Sequence, residues 1–480
     1  MEAPPEAIYS TREDLLMSVR NFALSQGYVV TIRHSTANKN VVLGCDMGGV
    51  YHDRVGALEG AKRRKTSTRR IGCPFELYGS YSKGYWQLKV RNPMHTHGLS
   101  DLSAHPQARK LSDDQRAEIG RLSSMGVRPQ TIEAVLRESD ASARFIRRDI
   151  YNARMAERPR QLGGRSPVEY LVQQLQHEGS WLHAKQSDDI GHIRFLMFAH
   201  QKSIDFANQY NRVFLLDCTY KSNRYRMPLL HIVGFSPTNK SFSVAFCFME
   251  NEEVESYCWA LSTFFSFIKR PNPPSVLCTD RDWALLSAIE HQLPDFPHIL
   301  CVWRLNKNIQ AHCKKEFVTN EEYNKFFSLW INLASAPKEE VYNQSKEDIR
   351  LFLKDKPHIF HYLENNVLVH REKFVIAWTR KWLHLGNATT SRAEGAHATM
   401  KRWICSSTAD ILTVFEMLER SIVAQVNAID AELAHDRILT PVFASKVLFA
   451  NLIGHVWRYA ITLLVEQYQR EQWAFPVLIG

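Results

Sequence analysis

Short apolar runs, each closed by a polar residue, dominate the middle of the chain. Val213-Phe214-Leu215-Leu216 ends in Asp217, and Val276-Leu277-Cys278-Thr279 ends in Asp280. Runs of this length predict buried strands that carry a carboxylate out of their ends. Residues 229–235, 241–249 and 298–302 read as further strands. Helical periodicity covers about 253–269 and 284–293. Three strands, a helix, then alternating strand and helix predict a mixed α/β sheet with helices packed on it. Residues 303–385 read as a mostly helical insertion, and 408–475 also as helical.

Toward the N-terminus the pattern weakens. Strands are expected at 28–32, 75–78 and 85–90, and helices over 110–156. Ser112 followed by Asp113 and Asp114 offers a cap and an acidic first turn. Met125-Gly126-Val127-Arg128-Pro129 breaks the helical pattern, and residues 161–167, with Gly163, Gly164 and Pro167, read as a linker. The expected domains are 1–105, small and β-rich; 106–160, helical; 161–407, the mixed α/β part with its insertion at about 303–385; and 408–480, helical.

Charge adds an asymmetry. The net charge is +10, and residues 1–165 hold the excess, with 27 Lys+Arg against 17 Asp+Glu. A polyanion-binding module joined to a near-neutral one fits this, as does a solvated basic face. Nine scattered Cys do not make a disulfide framework and fit a reducing compartment. Cys218, Cys247, Cys258 and Cys278 read as small core residues. No stretch reaches the ~18 apolar residues of a membrane span, and residues 1–6 do not have the order of a signal peptide, so a soluble intracellular protein is expected. No Gly-x-x-x-x-Gly-Lys-Ser/Thr loop occurs, which argues against nucleotide as a partner.

A third carboxylate joins the two aspartates. Glu394, His397 and Lys401 are spaced to share one helix face. Hard divalent cations need carboxylate oxygens, and two metal ions can bind the attacking and leaving oxygens of a phosphoryl transfer. Asp217, Asp280 and Glu394 are therefore candidate ligands for two Mg2+ or Mn2+ ions, with Lys401 and Arg402 as phosphate contacts. Turn and cap roles for the aspartates and an amphipathic surface helix around Glu394 are the plainer alternatives.

The blocks LLDCTYKSNRYRMPLLHIVGFS, YCWALSTFFSF with VLCTDRDWALLSAI, and TTSRAEGAHATMKRW resemble the transposase domain of Mutator-like elements over roughly residues 170–405. The resemblance implies an RNase H-like fold and a DDE triad of Asp217, Asp280 and Glu394. It also implies strand cleavage and strand transfer on double-stranded DNA, at element terminal repeats and target DNA, by a nuclear homo-oligomer. The family usually carries Cys-x-x-His after the second Asp. Here Cys301-Val302-Trp303-Arg304 puts Arg in the place of His. A C-terminal SWIM-type pattern does not occur after residue 405.

Cys45, Cys73, His95 and His97 are separated by 27, 21 and one residues. Thiolates and imidazoles suit Zn2+, while the spacing alone fits core Cys and solvent His equally. Together with Trp86 the set resembles the WRKY/GCM1-type zinc finger of FAR1-like DNA-binding domains. That resemblance makes the four residues Zn2+ ligands and Tyr81, Lys83 and Tyr85 strand-borne DNA contacts. Residues 127–136 and 141–154 have the lengths of a helix-turn-helix. Arg144, Arg147, Arg148 and Arg154 are expected on one face of its second helix, for phosphate and base-edge contact; a solvated connector helix is the alternative. Lys62-Arg63-Arg64-Lys65 reads as a nuclear import signal or a phosphate-binding loop. Three functions stay open: an active DDE transposase, a domesticated FAR1-like DNA-binding regulator without catalysis, and another RNase H-like nuclease, separable by its substrate preference.

Overall fold

A computed structural model describes residues 1–50, 67–140, 143–210, 212–268, 276–382, 384, 395, 398–400, 402–404, 409–439 and 447–474. The chain divides into two compact units, Met1–Gly164 and Arg165–Gly480.

In the first unit, strands β1 (Ile8–Tyr9), β2 (Val30–Thr36), β3 (Asn40–Cys45), β4 (Glu76–Ser82) and β5 (Tyr85–Asn92) form an antiparallel sheet of order β1-β5-β4-β3-β2. Helix α1 (Arg12–Ser25) starts at Thr11, whose hydroxyl accepts from the Asp14 N–H at 3.0 Å. It buries Leu15, Leu16, Val19 and Ala23 against Leu43, Phe75, Leu77, Trp86 and Leu88 of the sheet. Strand β5 alternates, with Trp86 and Leu88 inward and Gln87 and Lys89 outward. The tight turn from β4 to β5 has φ of 53° at Lys83 and 87° at Gly84. Positive φ at both central residues matches the right-handed strand twist, and glycine supplies one of them without steric cost.

Three helices complete this unit: α2 (Asp113–Ser124), α3 (Pro129–Ser139) and α4 (Arg147–Leu162). Ser112 and Gln115 form a reciprocal capping box on α2. Ile119, Leu122, Ile132, Leu136, Phe145 and Ile150 make their shared core. Helix α4 ends at Gly163, which is left-handed at φ 56°.

The second unit holds a seven-stranded sheet. Its strands are β6 (Trp181–Ser187), β7 (Ile193–His200), β8 (Val213–Thr219), β9 (Leu229–Phe235), β10 (Ser241–Met249), β11 (Val276–Thr279) and β12 (His298–Leu300), in the order β12-β11-β8-β9-β10-β7-β6. β8, β11 and β12 run parallel, and the other neighbours pair antiparallel. Every residue of β9 and β11 is buried, as expected of strands covered on both faces. Helices α5 (Pro167–His177), α6 (Gln201–Gln209), α7 (Val254–Phe267) and α8 (Trp283–Gln292) are interleaved with these strands.

The insertion consists of α9 (Val302–Cys313), α10 (Asn320–Ala334), α11 (Glu339–Phe352), α12 (Pro357–Asn366) and α13 (Ile376–Thr379). It has its own core around Trp330, with Phe326, Leu333, Ile349, Leu363 and Phe374. Trp330 Nε1 donates to Asn306 Oδ1 at 2.7 Å, which satisfies the buried indole. Helices α14 (Ile411–Ile438) and α15 (Arg458–Ala474) follow, and Phe415 of α14 packs edge-on against Trp181 and Phe198. Mixed α/β architecture is therefore as expected. The short N-terminal strands and helix at α1, β1 and β3, and the pair β6 and β7, go beyond the sequence expectation.

Candidate functional site

The parallel pairing of β8 with β11 sets Leu216 opposite Thr279. The next residue on each strand is an aspartate, so Asp217 and Asp280 stand side by side at neighbouring strand positions. Both follow the face formed by Val213, Leu215, Val276 and Cys278, which Ile299 and Cys301 extend and Trp303 and Trp382 help to cover. Asp217 is buried, 2% exposed. Burial pushes the Asp280 carboxyl up to about 6, the charges of Asp282 and Glu252 push the same way, and the Arg304 guanidinium opposes them. Asp282 also caps α8, accepting from the Leu285 N–H at 2.8 Å.

Arg304 enters this pair from α9. The Cys301 Sγ caps that helix, accepting from the Arg304 N–H at 3.3 Å. From the third helical position Arg304 Nη2 donates to Asp217 Oδ2 at 2.5 Å. Arg281 ties the other strand end to the insertion, donating to the Asn366 carbonyl at 2.8 Å.

Glu252, just after β10, is a neighbour that the sequence reading does not single out. Tyr220 donates to its two carboxylate oxygens at 2.7 and 3.0 Å, and Tyr257 donates to Oε1 at 3.3 Å. Cys218 lies 3.4 Å from the Tyr257 hydroxyl, so it is half-buried in a polar cluster rather than a plain core residue. A signal for Glu252 exists in the sequence: it lies three residues after the largely apolar run Ser241–Met249. Beside the strand end, Thr219, Tyr220, Lys221 and Ser222 line a cleft of about 290 Å³ with Met400 and Ile404. Met400 and Ile404 thus lie near the Asp217 end of β8. Glu394, His397 and Lys401 themselves lie outside the described residues. Arg402 is exposed.

In the first unit Cys45, Cys73, His95 and His97 converge, with one ligand atom from each within 4.8 Å of the others. Cys45 Sγ is 3.2 Å from His97 Nε2, Cys73 Sγ is 3.5 Å from His95 Nδ1, and the two imidazole nitrogens are 3.4 Å apart. A tetrahedral ion with sulfur at about 2.3 Å and nitrogen at about 2.0–2.1 Å needs edges of this size, so the donor set fits Zn2+. His97 Nδ1 donates to the Gly98 carbonyl at 2.8 Å, which leaves Nε2 facing the cluster. The His95 ring stacks on Phe75 at 4.3 Å and lies against Tyr28 at 4.5 Å. Burial pushes the Cys45 thiol up to about 12 and holds the His95 imidazole down at about 4. The dry site thus favours neutral groups until a cation compensates the thiolate.

Next to it, Asp46 accepts from His105 Nδ1 at 2.9 Å and from Arg69 Nε at 2.6 Å, and Ser100 lies 2.7 Å from His105 Nε2. This chain of contacts fastens the segment after His97 to the end of β3.

Tyr81 and Lys83 are exposed at the β4–β5 hairpin tip, and Tyr85 is half-buried. Helix α4 begins at Arg147, so Arg144 is not on its face as expected; it precedes the helix, and Ile146 is the capping residue. Arg147 Nε is bound to Glu133 at 2.9 Å, while Arg148 is exposed and Arg154 half-buried. Residues 62–65 lie outside the described residues. Among the described residues no helix is long and apolar enough to cross a membrane.

Residues 213–308, which include both aspartates and Arg304, match the MULE transposase domain family. FAR1-RELATED SEQUENCE 5 of Arabidopsis thaliana is 22% identical over 76% of this chain and 46% of its own length. FAR-RED IMPAIRED RESPONSE 1 of the same plant is 20% identical over 82% of this chain and 49% of its own. A PKS-NRPS hybrid synthetase of Chaetomium globosum is 24% identical over 97% of this chain but 11% of its own length. The chain spans about half the length of the two plant relatives. Residues 213–308 thus resemble the MULE transposase domain, and the chain is similar to FAR1-type proteins over most of its length.

Proposed function

We propose that this chain is a DNA transposase of the Mutator-like type that cleaves and joins DNA strands at an acidic site in an RNase H-like domain. The observation that carries the reading is the register of β8 on β11, which sets Asp217 beside Asp280 inside the segment that matches the MULE family. A buried and a half-buried carboxylate, both hard oxygen donors, suit Mg2+ or Mn2+, and Glu394 is the third proposed ligand. Bound divalent ions would polarise the phosphate and stabilise the attacking and leaving oxygens. The rest falls to the chain. The aspartates fix the ion positions from a rigid sheet, and Lys401 and Arg402 hold the flanking phosphates. In cleavage a water oxygen bonds to phosphorus, the bond to the 3′-oxygen breaks, and that oxygen leaves as a hydroxyl after taking up a proton. In joining, the 3′-hydroxyl attacks a target phosphate in the same way.

The first unit is proposed to hold Zn2+ at Cys45, Cys73, His95 and His97 and to recognise terminal double-stranded DNA. Its proposed contacts are Tyr81, Lys83 and Tyr85 on the hairpin, residues 62–65, and Arg144, Arg147 and Arg148 around α4. A homo-oligomer in the nucleus, bridging two DNA ends, completes the reading.

A second reading is a FAR1-like DNA-binding regulator without catalysis, favoured by the Arg304–Asp217 contact, which places a protein cation on a proposed metal ligand. The deciding experiment compares wild type, Asp280→Asn and Glu394→Gln on labelled element-end DNA with Mg2+ or Mn2+. Cleavage that vanishes in both variants supports the transposase. Tight binding without cleavage by any of the three proteins supports the regulator.

A further inference from the structure

We infer that Arg304 is a built-in counter-ion that competes with a divalent cation for Asp217, and that a DNA phosphate is the alternative partner that draws it away. The inference rests on the reading of Asp217 and Asp280 as the metal-binding pair, and concerns how that pair is controlled.

The Nη2–Oδ2 contact of 2.5 Å joins a side chain that is 31% exposed to one that is 3% exposed. A guanidinium donating directly to a carboxylate occupies the oxygen and neutralises the charge that a cation would use. Direct coordination at that oxygen requires the guanidinium to leave. Its position permits this: α9 begins at Val302, and the partial exposure of Arg304 gives the head group a route to solvent while the helix stays in place. Few groups compensate its departure as well as a phosphodiester, because guanidinium geometry suits phosphate as it suits carboxylate. DNA laid across the strand ends brings phosphates to this position. Exchange of Asp217 for phosphate then exposes the carboxylate only when substrate is present. By linkage, DNA and metal each tighten the binding of the other.

The test is a Mn2+ titration of the zinc-loaded full chain, followed by the electron paramagnetic resonance of free Mn2+, on wild type, Arg304→Ala, Arg304→Lys, Arg304→Gln and Asp280→Asn. Arg304→Ala is expected to bind Mn2+ about tenfold more tightly than wild type, a normal size for coupling between sites. Arg304→Lys keeps the charge and is expected to stay near wild type, whereas Arg304→Gln removes the charge at similar length, is expected to tighten Mn2+ binding as alanine does, and serves if the alanine variant does not fold. Duplex affinity, read by fluorescence anisotropy at constant ionic strength, should rise with Mn2+ in wild type and change much less in Arg304→Ala. Equal Mn2+ affinity in wild type and Arg304→Ala overturns the inference, provided that Asp280→Asn weakens binding in both backgrounds. Mn2+ binding that ignores Asp280 as well overturns the metal-site reading itself.

Discussion

Arg304 and Asp217 are 87 residues apart in the chain and meet where Arg304 Nη2 donates to Asp217 Oδ2 at 2.5 Å. The pair links the insertion's first helix to β8, an interior strand of the sheet. Removing one partner of a buried ion pair costs about 3–5 kcal/mol, and the 31% exposure of Arg304 reduces that to about 1–3 kcal/mol here. Arg304→Ala should therefore lower the denaturation midpoint of the second unit. A double-mutant cycle with Asp217→Asn should show a non-additive coupling of about 1 kcal/mol. Strict additivity would mean that the contact contributes nothing to stability.

Asp280 gives the second expectation, one of pH. Its carboxyl titrates at about 6 in the fold against an ordinary 3.8, mainly because burial disfavours the charge. The folded state therefore holds its proton more tightly than the unfolded chain. The favourable contribution is complete below about 3.8 and is lost as pH rises through about 6, so ionised Asp280 burdens the fold at neutral pH. Asp280→Asn should raise Tm at pH 7.5 by roughly 2–4 °C, and the gain should fade toward pH 4. A Tm gain independent of pH would assign the effect to packing.

How much of the site can be read from the chain alone depends on sequence distance. Strands β8 and β11 are legible because each is a continuous apolar run leading to an Asp, but their parallel register, with β9, β10 and α7 between them in the chain, is given only by the structure. β3 and β6 are not, since Asn40–Cys45 has only three consecutive apolar residues before Gly44 and Trp181–Ser187 has no clear apolar face. The proposed Zn2+ ligands Cys45, Cys73, His95 and His97 are too dispersed for spacing to unite them, and the family resemblance supplies the grouping. Arg304 stands out as a departure from a motif, but its partner depends on the rotation of the first turn of α9, which periodicity does not reveal. Arg144 falls a few residues short of its expected helix, because α4 begins only after Phe145 has entered the three-helix core.

The zinc proposal predicts one Zn2+ per chain by elemental analysis. Cys73→Ser should lose most of it, and amides of β3 should lose hydrogen-exchange protection, since Cys45 closes that strand. His105→Ala offers a subtler test. It frees Asp46 and Ser100 from the ring that fastens the His97 segment. Loss of an outer-shell support of this kind costs about tenfold in metal affinity, measured by competition with a chromogenic chelator. An unchanged affinity would make the Asp46–His105–Ser100 chain irrelevant to the cluster.

Lys83 separates a DNA contact from a turn residue. It sits at the hairpin tip with φ of 53°, a conformation that asparagine also tolerates. Lys83→Asn should therefore keep the turn and remove only the charge. If the hairpin meets the DNA backbone, removing one phosphate contact flattens the slope of log K against log salt by about 0.9. Lys83→Asn should then bind more weakly at low salt, with a slope smaller by about that amount, and the loss should be the same for related and unrelated duplexes. A larger loss on one sequence would make Lys83 a reader of bases. No change in affinity or slope would remove the hairpin tip from the interface and leave the surroundings of α4, with the exposed Arg148, as the surface to test next.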